Sequence, residues 1–276
     1  MSSSDKAARD VAEHLLTVSI VTFQPDMEIL RRTLESLVAA LTGFEHNLVK
    51  VFVIQNSDSN AVPLAVARIL ANYHFEIITG HGNIGFGAAH NLILPKTGRF
   101  HLILNPDIEM DPAALINAIH FMSNNRECGL VTPKAHWPDG QRQYLCKNYP
   151  ALFDLLLRGF APALLKQIFA KRLDRYEMRT ETADSDFWDP PIVSGCFMFF
   201  DGDILRRLNG FDPSYFLYFE DFDLSLRTSQ ITRIVYVPKV KVIHAGGHAA
   251  KKGMKHIRLF AKSARTFYRR HGLRLV

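Results

Sequence analysis

The chain has 276 residues, of which 47% are hydrophobic and 22% charged, the balance of a globular protein long enough to bury a sizeable core. Cys128, Cys146 and Cys196 are odd in number, widely spaced and free of any CxxC pairing, which argues against a disulfide framework or a zinc knuckle and predicts a reducing, cytoplasmic setting. No apolar run approaches the roughly 20 residues of a membrane-spanning helix, and the polar start, Met1 to Glu13, lacks the features of a signal peptide, so residues 1–16 are expected to form a loose leading segment.

In chain order, Leu15 to Phe23 is a β-branched apolar run closed by Gln24, Pro25 and Asp26, and Met27 to Leu41 then shows apolar spacing of three and four, which predicts strand, turn and helix. The alternation repeats with a strand Val49 to Gln55, a loop Asn56 to Asn60, a helix Pro63 to Tyr73 and a strand Phe75 to Thr79. After a glycine-rich turn come a helix Gly87 to Leu94 and a strand Phe100 to Leu104. Strands alternating with helices predict an α/β fold with a mostly parallel sheet covered on both faces. Such a sheet binds ligands beyond the carboxyl ends of its strands, which singles out Gln24, Asn56, Ser57, Asp58, Asn105 and Asp107.

Beyond Asp111 the pattern changes. A helix Pro112 to Asn124 and a short strand Leu130 to Pro133 precede a turn-rich passage through Pro138, Asp139 and Gly140, and Leu152 to Arg179 reads as one or two basic amphipathic helices. Strand signals return at Ile192 to Asp201 and Ile234 to Pro238, with helices at Ile204 to Leu208 and Phe222 to Ser229 between them. The net charge of +6 is concentrated late, in Lys251, Lys252, Lys255, Arg258, Lys262, Arg265, Arg269, Arg270 and Arg274, with Phe260, Phe267 and Tyr268 interleaved. This segment reads either as a solvated helix face or as a surface for an anionic membrane leaflet or a phosphate-bearing substrate. No RNP, zinc-finger or KH pattern accompanies the charge, so nucleic acid is not expected as a partner.

Three segments carry candidate chemistry. Leu102–Asp111 (LILNPDIEMD) is an apolar strand that stops at Asn105 and Asp107, where a carboxylate outside the sheet could hold Mg²⁺ or Mn²⁺ against a diphosphate, although Asn-Pro-Asp is also a good turn. Tyr215–Asp223 (YFLYFEDFD) leads aromatics into three acids at a helix start, suited either to capping or to a partly desolvated base beside a sugar ring. Val240–His248 (VKVIHAGGH) is a strand ending in His244, Gly246, Gly247 and His248, so His244 could be a structural histidine or an imidazole ligand to a divalent ion. Gly82–Gly87 (GNIGFG) has GxxGxG spacing in place of GxGxxG and does not open the first strand-helix unit, which argues against a dinucleotide-binding dehydrogenase.

Taken together, these segments resemble the inverting glycosyltransferase family 2, with its GT-A fold, and most closely its rhamnosyltransferase-like members. The resemblance runs from about Thr17 to His248 and rests on Val18–Phe23 (VSIVTF), Val51–Ser57 (VFVIQNS), Asn83–Asn91 (NIGFGAAHN), Leu104–Asp107 (LNPD), Ser194–Met198 (SGCFM), Asn209–Pro213 (NGFDP) and Phe216–Asp223 (FLYFEDFD). It implies a GT-A domain over residues 17–250, with a nucleotide-sugar half (17–111), an acceptor half (112–250) and a basic helical segment after it (251–276). It further implies Asp221 as catalytic base, with Glu220 orienting the acceptor beside Gly195 and Tyr218. Donor contacts are implied at Thr22, Phe23, Gln55, Asn56, Ser57, Asn83, Gly85, Asn91, Asn105 and Asp107, and metal contacts, to Mg²⁺ or Mn²⁺, at Asp107 and His244. Asn105 stands in the first acidic place of the family's DxD motif, and Gln55 stands where an aspartate is usual.

The implied reaction moves a sugar from a nucleotide diphosphate donor to a hydroxyl of a glycan or lipid-linked oligosaccharide in bacterial surface polysaccharide assembly, including lipopolysaccharide O-antigen. dTDP-rhamnose is the first choice of donor, with UDP- and GDP-sugars as alternatives. The basic helices are expected to give either peripheral contact with the inner face of the plasma membrane or a homodimer contact. Two rivals are a sugar nucleotidyltransferase, which would want a glycine-rich, lysine-bearing loop in place of Gln24-Pro25-Asp26, and a non-catalytic nucleotide-sugar-binding or scaffold protein.

Overall fold

The structure, a computed structural model, describes residues 14–57, 59–246 and 254–275. Asp58, Gly247, His248, Lys251 and Lys252, all singled out in the sequence, lie outside the described residues.

The first β-branched run forms β1 (Leu16–Thr22), all seven side chains of which are buried, as a strand covered on both faces requires. Asp26 then caps α1 (Met27–Ala40) by accepting from the backbone N–H groups of Glu28 and Ile29 at 2.9 and 3.2 Å. The chain continues through β2 (Val49–Gln55), α2 (Ala61–Ile69), β3 (His74–Ile78), α3 (Phe86–Asn91) and β4 (Phe100–Leu104). Next come β5 (Ile108–Met110), α4 (Ala114–Asn124), β6 (Cys128–His136), β7 (Arg142–Gln143) and β8 (Cys146–Lys147). Three short helices follow, α5 (Leu152–Phe160), α6 (Ala163–Ile168) and α7 (Ala170–Tyr176). The remainder is β9 (Phe187–Trp188), β10 (Ile192–Val193), β11 (Phe197–Asp201), α8 (Gly202–Arg207), α9 (Glu220–Thr228), β12 (Arg233–His244) and α10 (Met254–His271).

The main sheet runs β3-β2-β1-β4-β11-β6-β12-β5. Pairing is parallel for β1 with β2 and β4, for β2 with β3 and for β12 with β6, whereas β11 is antiparallel to both β4 and β6. The carboxyl ends of β1, β2, β4, β6 and β12 therefore share one edge with the start of β11. That topology gathers the residues after β4, those before β11 and the end of β12 around one place, and it does so through backbone pairing alone.

Several boundaries differ from expectation for local reasons. The two strand signals at Ile234 to Pro238 and Val240 to His244 are one strand, β12, which absorbs Pro238 in an irregularity between Val237 and Lys241. The basic stretch Leu152 to Arg179 forms three helices, because Ala161 and Pro162 adopt extended backbone after α5. The helix at the acids begins at Glu220, two residues earlier than its apolar periodicity indicates.

Two buried histidines brace the sheet centre. Ser19 Oγ lies 2.7 Å from His90 Nδ1 and 2.9 Å from His101 Nε2, and Thr17 Oγ1 lies 2.8 Å from His101 Nδ1. Burial drives both imidazoles well below the usual histidine range, His101 to about 3. They stay neutral in the folded chain while unfolded histidine protonates near pH 6.5, so stability is complete above that value and falls as pH drops towards the folded values. Each contributes a slope of about 1.4 kcal/mol per pH unit in that window. Denaturant titrations between pH 7 and 4 are expected to show a shallower acid loss for His101→Gln than for the native chain.

Candidate active site

The acidic segment is placed by an unusual piece of backbone. Tyr218 and Phe219 have φ of 69° and 65°, a left-handed conformation that costs a non-glycine residue about 1–2 kcal/mol. This pair turns the chain so that α9 begins directly at Glu220. The helix has no side-chain cap, and its three acids separate by environment. Asp223 is fully buried and pairs with Arg227 Nε at 2.7 Å and His271 Nε2 at 2.8 Å, which ties α9 to α10. Glu220 and Asp221 instead face a cleft of about 580 Å³.

Within that cleft Asp221 Oδ2 accepts from the Gly195 N–H at 2.9 Å and Oδ1 from the Phe222 N–H at 3.0 Å. Glu220 Oε2 is buried and accepts no hydrogen bond among the described residues. Burial raises the pKa of both carboxyls. The neighbouring Asp221 adds to the effect at Glu220, while the two backbone donors partly offset it at Asp221. The result is a desolvated carboxyl pair with raised proton affinity, in which Asp221 is held by backbone donors and, among the described residues, by no paired cation. Such a group is suited to taking a proton from a hydroxyl.

His244 also lines this cleft, and Asp107 lies beside it. β12 pairs with β5 in a register that sets His244 opposite Ile108, and His244 Nε2 lies 3.4 Å from Asp107 Oδ1. That carboxylate oxygen is buried and accepts no hydrogen bond among the described residues. His244 Nδ1 is 2.9 Å from the acceptor Gln143 Oε1, so a neutral ring carries its proton on Nδ1 and keeps the Nε2 lone pair towards Asp107. Gly246 abuts the Asp107 carboxylate, where a Cβ would collide with Oδ2. Burial lowers the His244 pKa, but Cys196 and Asp107 raise it by more, to about 10, so the ring without a cation carries a proton on Nε2 that a bound cation would displace. An orphan carboxylate oxygen beside an imidazole nitrogen fits one hard divalent cation, with the remaining positions left to ligand oxygens and water. Among the described residues no group of three or more His, Cys, Asp or Glu forms a metal cage.

The expected donor contacts fall into two sets. Thr22 and Gln55 are buried at the ends of β1 and β2, and Thr22 Oγ1 and Gln55 Oε1 have no hydrogen-bond partner among the described residues. Phe23 is half exposed beside them, and Asn105 follows β4, its N–H donating to Cys196 O at 2.9 Å. Ser57 Oγ accepts from the Gln24 N–H at 2.9 Å. The second set is bonded to the glycine-rich segment. Asn56 donates to Gly85 O at 3.0 Å and lies 3.0 Å from His81 Nε2, and Asn83 Oδ1 accepts from the Gly85 N–H at 3.1 Å.

Asn91, read in the sequence as a donor contact, is bonded within the chain. Its amide donates to Phe211 O at 2.7 Å and its oxygen accepts from Phe211 N–H at 2.9 Å, so both ends are engaged by the chain. Gly85 lies against Phe216, whose carbonyl would collide with a Cβ there and accepts from Phe86 N–H at 3.1 Å. The glycine-rich segment therefore also anchors the loop that leads to Glu220.

One face of the basic tail packs into the fold. Phe267 of α10 is fully buried and packs on Phe219 and Tyr149 at ring separations of 5.2 and 5.6 Å, while Phe260 lies 5.0 Å from Phe219. Tyr218 Oη bonds His256 Nδ1 at 2.8 Å. The interleaved aromatics thus support the acidic turn from behind. Sequence reasoning missed the cleft residues Trp137, Arg142, Lys147, Arg158, Glu177 and Arg179. For Arg158, Glu177 and Arg179 the only signal was the basic character of Leu152 to Arg179, while Trp137, Arg142 and Lys147 lie in a turn-rich passage without a motif.

Comparison with known proteins bears on the family and the fold. Residues 13–269 match the family model described as "Glycosyltransferase like family 2". The chain is 24% identical over 267 residues to the N-acetylglucosaminyl-diphospho-decaprenol L-rhamnosyltransferase of Mycobacterium tuberculosis, covering 92% of this chain and 83% of that one. It is 28% identical over 235 residues to the Escherichia coli rhamnosyltransferase WbbL, covering 80% of each. Among solved structures, GalNAc-T7 with UDP, GalNAc and Mn²⁺ superposes with a TM-score of 0.66 at 15% identity, over 92% of this chain and 47% of that one. The mannosyltransferase PcManGT of Pyrobaculum calidifontis with GDP-Man and Mn²⁺ gives 0.59 at 20% identity, over 94% of this chain and 70% of that one. These likenesses show the GT-A fold expected from the sequence. With its family match spanning nearly the whole chain, the protein belongs to glycosyltransferase family 2.

Proposed function

We propose that this glycosyltransferase moves a sugar, with rhamnose as first choice, from a nucleotide diphosphate donor to a hydroxyl of a lipid-linked acceptor, inverting the anomeric centre in one displacement. The observation that carries the reading is the desolvated Glu220–Asp221 pair in the same cleft as His244. The names of the two rhamnosyltransferase relatives support the donor and acceptor classes.

In this reading Asp221 accepts the proton of the attacking hydroxyl, and its bonds to Gly195 and Phe222 fix the carboxylate for that transfer. Glu220, whose Oε2 accepts no hydrogen bond among the described residues, orients a second acceptor hydroxyl. Thr22, Phe23 and Gln55 line the base and ribose end of the donor pocket, and Asp107 and His244 hold a Mn²⁺ or Mg²⁺ ion. When bound, such an ion neutralises charge on the departing diphosphate.

Attachment to a membrane surface supports a lipid-linked acceptor. Among the described residues no helix is long and apolar enough to cross a bilayer. However, α5, α6 and α7 pack together and leave Leu156, Leu164, Leu165 and Ile168 exposed, beside Lys166 and Arg175. The tail joins them, with Leu152 N–H donating to Arg274 O at 2.9 Å, and adds exposed Leu273 and Leu275. Exposed apolar side chains on helices that also carry cations match the interfacial zone of an anionic leaflet.

Two measurements check these statements. Asp221→Asn is expected to lower kcat at least a thousandfold while a nucleotide diphosphate with Mn²⁺ still raises the melting temperature. Retained turnover removes Asp221 as the base, and a chain that transfers no sugar in either form favours the non-catalytic reading. Leu164→Asp with Ile168→Asp is expected to abolish co-sedimentation with phosphatidylglycerol vesicles that the native chain binds. If the native chain stays in the supernatant at low salt, the membrane role is rejected.

A further inference from the structure

Beside the carboxyl pair, the cleft holds a concentration of cations that neither the base nor the metal pair uses. Arg142, Lys147, Arg158 and Arg179 all line it, and Glu177 is the carboxylate set among them. Lys147 is almost completely buried, its side chain 7% exposed. Its ammonium donates to Tyr144 O at 2.7 Å and stands 3.6 Å from Glu177 Oε1, the same oxygen that Arg158 Nε faces at 3.6 Å. Neither separation is a hydrogen bond. The short contact to Glu177 belongs to Arg179, at 2.7 Å on Oε2. Arg142 donates to two neutral oxygens, Ala183 O at 2.5 Å and Tyr236 Oη at 2.7 Å.

The cluster is held in place. Arg142 and Arg179 both lie over the Tyr144 ring, at 5.2 and 5.0 Å from its centre, and Asn148 ties β8 to the end of α7 by bonds of 2.7 and 2.9 Å. One carboxylate, Glu177, is shared among Lys147, Arg158 and Arg179, so the buried cluster keeps an excess of positive charge that costs free energy, and burial together with Arg158 pulls the Lys147 pKa down to about 7. A bound anion would restore the charge and complete the unmade hydrogen bonds. The donor's diphosphate already has a place at Asp107 and His244. The Arg158 charge also reaches Asp221 and partly offsets the rise in its pKa, so an anion here sits within electrostatic range of the base.

We infer that Lys147, Arg158 and Arg179 form a subsite for a phosphate or diphosphate group carried by the acceptor. This rests on the glycosyl-transfer reading above and adds the acceptor's chemistry to it: the sugar that receives the new bond is itself attached to a phosphate. The guanidinium of Arg158, half exposed at the mouth of the cleft, captures the group, and the buried Lys147 ammonium meets its inner oxygens.

The test uses the full chain and two acceptors that share one sugar, N-acetylglucosamine, one as a diphosphate on a short alkyl chain and the other as a phosphate-free alkyl glycoside. The native enzyme is expected to favour the diphosphate by at least tenfold in kcat/KM. Arg158→Ala and Lys147→Met should collapse that ratio at least tenfold, with nucleotide diphosphate and Mn²⁺ still stabilising each variant. Loss of that stabilisation would assign the cluster to the donor, and an unchanged ratio would leave it without a ligand role; either result overturns the inference. Calorimetric titration with inorganic pyrophosphate, without divalent metal, reads the subsite independently of turnover. Affinity should fall at least tenfold in Arg158→Ala and not in His244→Asn. The reverse pattern, or equal affinity in all three proteins, overturns the subsite even if no sugar is transferred.

Discussion

The consecutive left-handed residues Tyr218 and Phe219 are the constraint on which the cleft depends. Without that turn, α9 would not start at Glu220, and the two carboxyls would not face the same space as His244. An aromatic pair has no intrinsic preference for such backbone, so the surroundings must hold it. They do so from three sides. Phe267 and Phe260 of α10 pack on Phe219, Asn91 clamps Phe211 at the start of the loop, and Phe86 binds Phe216 in its middle.

This support explains how a carboxyl pair with raised proton affinity persists. Removing Glu220 and Asp221 from water opposes folding once either carboxyl ionises, and among the described residues no cation forms an ion pair with them. Packing of α10 and the Asp223 bonds to Arg227 and His271 supply compensating stability next to the site. One segment thus holds an acid used for structure, Asp223, beside two that face the cleft, and burial and partners alone distinguish them.

Much of the fold was legible because parallel strands leave a strong local mark. The buried runs of β1, β2 and β4, and the turn at Asn105–Asp107, follow from apolar periodicity and strand ends. Asp107 and His244 were visible as an acid and an imidazole at strand ends, and Glu220 and Asp221 as acids at a helix start. What was not legible depends on partners far away in sequence. Nothing local says that Asn91 grips Phe211, 120 residues on, or that Phe267 faces Phe219 instead of a lipid. The boundary of α9 was missed because its start is set by a left-handed turn stabilised from outside, not by a capping residue. The cation cluster assembles from β7, β8, α5 and the residues after α7, none of which carries a motif by itself.

The central claim is a single displacement driven by a base on one face of the sugar. The most direct measurement is the nuclear magnetic resonance spectrum of the product linkage, formed from a nucleotide sugar of known anomeric configuration in the presence of Mn²⁺. The account predicts the opposite configuration at the transferred anomeric carbon. A retained configuration would require a second displacement or a front-face route, and would contradict the role given to Asp221.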